Sequence, residues 1–142
     1  SMHFDQLAAT ALALARAGVQ LEDARFWREW LPERLLSTVH TATGAGLANA
    51  ASAYALEDGA GARLVQAVEQ LLLAGDLESL EWLSLQSREA AVLLWAHRRG
   101  GRLHAALFHR LWGLALDGRL AELPAGHLVA VAGYAAALPV AG

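Results

Sequence analysis

Cysteine and lysine are both missing from this chain of 142 residues. Without cysteine there is no disulfide, no thiolate metal ligand and no cysteine nucleophile, a composition compatible with a reducing cytoplasm. All 11 basic residues are arginine. That excludes Schiff-base chemistry, a phosphate-loop lysine and an amine base. Charge of either sign is also scarce, at 18% of residues against about a quarter in an ordinary domain, while 56% are hydrophobic. So little charge does not cover a monomer's surface, and some apolar surface is expected to meet a partner. The net charge of −3 lacks the basic excess that releases counterions from a polyanion, so general nucleic-acid binding is not expected.

A membrane-spanning run is missing as well. The twenty residues Leu123 to Gly142 carry no charge apart from His127. They are rich in Ala and Gly, and Pro124 and Pro139 leave about 14 residues of helix where a span needs about 20. A buried helix is expected there. Ser1 ahead of Met2 reads as a cloning remnant, and no basic segment of a signal peptide follows.

What is present is helical periodicity. Phe4, Leu7, Ala8, Ala11, Leu12 and Ala15 repeat at helical spacing up to Gly18. Asp23 is placed to cap a short helix from Ala24 to Leu31, and Pro32 to open a third that runs through Leu35, Leu36 and Val39. From Thr41 to Ala62 the texture changes to nine Ala and four Gly in 22 positions. This predicts a weak helix from about Leu47 to Leu56, a loop at Glu57 to Gly61, and a soft internal boundary near 57–62. Leu64, Val65, Val68, Leu71 and Leu72 then give an amphipathic helix with Arg63, Gln66, Glu69 and Gln70 outside. Asp76 is expected to cap a helix whose apolar side is Leu77, Leu80, Trp82 and Leu83. Ser87 with Glu89 opens a buried helix through Ala96. A helix from Arg102 to Leu116 follows, with Leu103, Ala106, Leu107, Leu111 and Leu114 inward. After a short turn of helix, Pro124 opens the last helix, Ala125 to Leu138.

Three copies of a Gly-x-Leu-x-x-(Leu/Ala) signature punctuate the centre: Gly75 to Leu80, Gly101 to Ala106 and Gly118 to Leu123. Each Gly stands where one helical pattern stops, at the place of a left-handed helix-closing residue. They lie 26 and 17 residues apart, and 17 is half of the tetratricopeptide period of 34. The junction Gly101-Arg-Leu103-His-Ala-Ala106 resembles the helix turn of divergent tetratricopeptide-like helical-hairpin proteins over about Leu64 to Leu123. The chain departs from the pattern at Trp82-x-x-Leu85, which is followed by Gln86 rather than Gly. Glu81-Trp82-Leu83 followed by Glu89-Ala-Ala91 is similar to the helix pairs of small bacterial type III secretion chaperones. That resemblance implies a non-catalytic protein holding a secretion component in an apolar groove.

The chemistry-bearing residues are few. Glu33, Ser37 and His40 share one helical stripe, but neighbours on one helix project in parallel and do not make a hydrolytic triad. No pair among His97, His104 and His109 has the spacing to share a metal on one helix. Gly44-Ala-Gly46 and Gly59-Ala-Gly61 lack the third glycine and the preceding strand of a dinucleotide loop. His97, Arg98, Arg99, Arg102 and His104 are the densest charge, at a helix end where cations meet exposed carbonyls. Helix, turn and helix there also outline a DNA-binding motif with Arg102 to Leu116 as recognition helix, whose reach is Arg102, His104, His109 and Arg110. Of the five Trp, Trp82, Trp95 and Trp112 are expected in the core, and Trp27 and Trp30, interleaved with charges, are the candidates to anchor a partner.

The sequence thus predicts one all-α domain over residues 3–142, of seven to eight helices packed as antiparallel hairpins, with no cofactor, no metal and no catalysis. It is expected to bind another protein, or a second copy of itself, in the cytoplasm. The mechanism expected is burial of an amphipathic helix in an apolar groove, with Arg98, Arg99 and Arg102 at its rim. A helix-turn-helix DNA-binding regulator and a structural homodimer are the alternatives.

Overall fold

The computed structural model describes residues 3–18, 25–56 and 62–139, at 62 and 63 by backbone only. Every regular element among them is helical: α1 Phe4–Arg16, α2 Leu31–Ser37, α3 Gly44–Leu56, α4 Ala62–Leu73, α5 Ser87–Arg99, α6 Ala105–Leu111 and α7 Ala125–Ala137. Short 3-10 turns at Val39–Thr41, Glu78–Leu83 and Leu120–Glu122, and wide turns at Phe26–Trp30 and Trp112–Leu116, link them. The expected cap at Asp23, the loop from Glu57 to Gly61 and the Arg63 side chain lie outside the described residues, and so does most of the boundary expected near 57–62.

The helices stack in two rows. α3 stands between α1 and α5, and α7 lies on α5; in the second row α4 packs against both α2 and α6. Sequential neighbours α1 with α2 and α3 with α4 join the rows as hairpins. A left-handed residue follows each of α4, α5 and the wide turn Trp112–Leu116. Gly75, Gly101 and Gly118, the three signature glycines, have φ of +66°, +76° and +72°. A side chain at such a φ strains the backbone, which is why the signature begins with Gly.

The stretch read as the weakest helix is the centre of the molecule. α3 starts at Gly44, three residues before the expected position, and buries Gly44, Gly46, Leu47, Ala48, Ala50, Ala51, Ser52, Ala53 and Tyr54. Its small side chains let α1 and α5 come close, and packing of this kind outweighs poor intrinsic propensity. The start of α3 is fixed from another helix. Asp5 of α1 accepts hydrogen bonds from the Thr43 backbone at 3.1 Å and the Thr43 hydroxyl at 2.7 Å, while Thr43 Oγ1 accepts from the Gly46 N–H at 3.3 Å.

Three other expectations change. Pro32 does not start a new helix, because the chain runs without a break from the wide turn Phe26–Trp30 into α2. There the Leu31 N–H bonds back five residues to the carbonyl of Phe26, widening the ladder just before the proline that lacks a donor. Trp82 and Trp95 are surface residues rather than core. Around Trp82 the 3-10 spiral of three residues per turn sends Leu80 and Leu83 inward and turns the intervening indole out. α6 starts at Ala105, not Arg102, and its Ala106 is exposed while Leu107 and Leu111 are buried.

Gly46 gives the test. A methyl group there would meet the Asp5 carboxylate and crowd the Phe4 ring at 3.2 Å. Gly46→Ala is expected to lower stability by about 1 to 3 kcal/mol despite the better helix propensity of alanine, because it overpacks the α1–α3 contact. Urea denaturation followed by far-UV circular dichroism measures the shift in midpoint.

Candidate functional site

The densest polar constellation lies where α4, α5, α7 and the turn before α6 meet. Its centre is Glu69 of α4, only 5% exposed. The sequence reading had placed this residue on the outer face, and its burial is a correction. Glu69 stands four residues after Val65 and three before Leu72, so it shares the apolar stripe, and the interior supplies the cation that makes a buried carboxylate tolerable. Arg102 holds it with two hydrogen bonds, Nε to Oε1 at 2.6 Å and Nη2 to Oε2 at 2.9 Å. This forked geometry is the strongest form of the ion pair.

Two histidines face the same carboxylate. His97 of α5 puts Nε2 3.6 Å from Glu69 Oε1, and His104 puts Nε2 3.8 Å from Oε2. This pair, seven residues apart and without the spacing to share a metal on one helix, is thus brought to one carboxylate by the turn at Gly100 and Gly101. His97 is fully buried, and its Nδ1 lies 2.7 Å from the Leu93 carbonyl, so Nδ1 carries the proton. The neutral ring then presents a bare Nε2 lone pair toward Glu69. Tyr134 of α7 closes the constellation: its hydroxyl donates to the Arg102 carbonyl at 2.9 Å and accepts from the His104 N–H at 2.8 Å.

Burial governs the titration of these groups. Desolvation pushes the His97 imidazole below its ordinary range, against the upward pull of the Leu93 carbonyl and the Glu69 carboxylate. Desolvation likewise pushes the Tyr134 phenol up. The Glu69 hydrogen bond keeps the Arg102 guanidinium charged. This arrangement can bolt three helices together and take up a proton at His97. It brings no hydroxyl or amine into line with a base. Among the described residues no three His, Asp or Glu side chains are placed to hold a metal ion. Glu33 and Ser37 are exposed on α2, whereas His40 lies beyond its end in the turn Val39–Thr41, so the stripe does not form one constellation.

The other sequence-selected residues are dispersed. Arg102 belongs to the Glu69 pair. Arg99 donates through Nε to the Ala55 carbonyl at 2.8 Å and lies 5.8 Å over the Trp95 ring. Arg98 lies against Gly133 of α7. Trp27 is 6% exposed, edge-on to both Phe26 and Tyr54, while Trp30 is 45% exposed beneath the Arg34 guanidinium. Of the two, Trp30 is the one a partner could reach.

An open groove of about 650 Å³ runs between the end of α4 and α6, lined by Leu73, Gly75, Asp76, Leu77, Ala106, His109 and Arg110. Leu77 is 44% exposed and rests over Gly113, where a methyl group would meet its side chain at 3.3 Å. Arg110 donates through Nη2 to the Gly75 carbonyl at 2.9 Å, and its buried Nη1 has no partner among the described residues. The sequence had marked Leu77 for the interior and Arg110 only as a DNA contact. A second apolar surface is the outer side of α7, where Leu128, Val129, Ala132, Ala135 and Ala136 are exposed and no charged residue occurs. No helix among the described residues is long and apolar enough to cross a membrane.

Comparison with family models, with curated proteins and with solved structures finds no match.

Two expectations follow from the Glu69 constellation. Arg102→Ala leaves a buried carboxylate without its cation and is expected to cost about 3 kcal/mol, near the lower end for a broken buried pair because the Arg102 side chain is 29% exposed. Glu69→Gln is expected to cost less, since the released guanidinium can reach water, and paired chemical denaturation curves decide the order. The second concerns pH. His97 binds its proton later in the folded than in the unfolded chain, so stability is full above the unfolded value of about 6.5 and falls as pH drops below it. The urea midpoint should decline from pH 7.5 to pH 5 in the native chain, and His97→Gln should flatten that decline.

Proposed function

We propose that the protein works without catalysis, as a cytoplasmic chaperone or adaptor that holds an amphipathic helix of a partner protein. The observation that carries this reading is the groove between α4 and α6, with Leu77 exposed on its surface. A helix laid in the groove would bury apolar residues on Leu73, Leu77 and Ala106. Asp76 and Arg110, which also line the groove, would set the charge pattern that the partner's flanks must match. The finer reading, a bacterial type III secretion chaperone, rests on the resemblance at Glu81-Trp82-Leu83 and Glu89-Ala-Ala91.

A homodimer is the second reading, favoured by the uncharged outer side of α7. Such a face is complementary to a copy of itself and offers a different partner no charge pattern to recognise. A helix-turn-helix contact with DNA is weakened by Arg102 and Arg110, two of its four polar contacts, which are held by Glu69 and by the Gly75 carbonyl.

The test places a photo-crosslinking residue at Leu77 and, as control, at Gln66 on the exposed side of α4. A partner crosslinked from position 77 and not from 66, through a helical segment, supports the groove. Leu77→Asp should then weaken that complex by about tenfold or more at unchanged helicity, with little dependence on salt. Crosslinks from both positions, or affinity falling steeply with salt, would sink it. Sedimentation of the native chain and of Val129→Asp decides the second reading, which requires a dimer that the substitution dissociates.

A further inference from the structure

On the other side of α5, away from the Glu69 constellation, a cavity of about 180 Å³ opens between α1, α3 and α5. Its volume equals about six waters at liquid density, the size of a small organic molecule. Leu12 and Val92 supply apolar wall, and the alanines of α3 keep the space from being filled. Four polar side chains from the three helices line it: Arg16 at the end of α1, Asn49 and Ser52 one turn apart on α3, and Arg88 in the first turn of α5.

None of these four side chains makes a hydrogen bond or an ion pair with another described residue. The cavity's one carboxylate, Glu89, is already engaged, accepting the Gln86 N–H at 2.8 Å, and lies beyond ion-pair distance of either arginine. The lining is therefore positive by one charge and rich in unused donors. The first turn of α5 adds the positive end of a 13-residue helix dipole. An anion is the ligand that satisfies these groups, and the apolar walls ask that it carry a short hydrocarbon body. A fully hydrated oxyanion would leave Leu12 and Val92 against polar atoms.

We propose that this cavity binds a small organic monocarboxylate, its carboxylate held between Arg16 and Arg88 with Asn49 and Ser52 as further hydrogen-bond partners, and its body against Leu12 and Val92. The site is independent of the partner groove, whose lining residues are all different.

The test titrates the ¹⁵N-labelled protein with benzoate, benzamide and inorganic phosphate and follows backbone amide shifts. Benzoate is expected to saturate with a Kd of about 1 mM, moving the amides of Asn49, Ser52 and Arg88. Benzamide and phosphate are expected to bind at least about tenfold more weakly, because one lacks the charge and the other the apolar body. Arg16 and Arg88 are exposed and unpaired, so the double variant Arg16→Gln, Arg88→Gln should keep its melting temperature while losing about tenfold or more in benzoate affinity. The proposal is overturned by shifts that do not saturate or that centre on another part of the molecule. It is equally overturned by benzamide or phosphate binding as well as benzoate, or by undiminished affinity in the double variant.

Discussion

The close approach of α3 to its two neighbours is the constraint on which the rest of the structure depends. A methyl group on Gly44 would lie 2.8 Å from the Leu85 backbone, and one on Gly46 would meet Asp5 and Phe4. At that separation the odd-numbered helices form a row, the second row closes over them, and α5 takes a central position with α3 and α7 on either side. An α3 built from leucine would bury more area in itself but push α1 and α5 apart. The cavity beside Asn49 and Ser52 is the same economy of volume seen from the surface.

The Glu69–Arg102 pair does a different job. Hydrophobic contact is non-directional and does not fix how the turn before α6 sits on α4 and α7. A forked ion pair does, because both bonds fail if the turn rotates. Tyr134 extends that order to α7 through one hydroxyl that bonds the backbone at Arg102 and His104, while its ring stacks on Phe108. Specificity of arrangement, more than net stabilisation, is what a buried pair of this kind contributes.

The fold was legible in the sequence wherever periodicity and punctuation agreed. Phe4 to Ala15, Leu64 to Leu72 and the three signature glycines each carry both signals, and the helices and turns fall where those signals put them. α3 was harder to read, because an Ala and Gly segment has no apolar stripe to register and its stability comes from neighbours. Glu69 was misplaced because residue type was weighed above position. Its place on the stripe was visible, but Arg102 lies 33 residues away and nothing local links them. Trp82 and Trp95 were assigned to the core because they sit in strongly apolar segments, whereas both are exposed, Trp82 on a 3-10 spiral and Trp95 on the outer side of α5. For the surfaces, Trp30 was legible as an exposed aromatic flanked by charge. The groove at Leu77 was not, since it is assembled from the ends of elements that only the tertiary structure brings together.

The two wide turns carry an implication for how this chain tolerates change in length. Each contains a backbone bond that spans one residue more than the α-helical ladder, and one residue is a rotation of about 100°. In the second, buried positions run four apart at Leu107, Leu111 and Ala115, with Leu116 buried beside the last of them. That turn closes the end of its helix, where the Asp117 N–H bonds back to the Trp112 carbonyl at 2.9 Å and the chain becomes extended, so a change of length there moves the following turn and not a further helical face. At Phe26–Trp30 the helix instead continues into α2, so a change of length there would rotate one part of it against the other, directly before the proline that lacks a donor. The two segments therefore look alike in geometry but differ in place: one ends a helix, and the other lies within one, next to its proline.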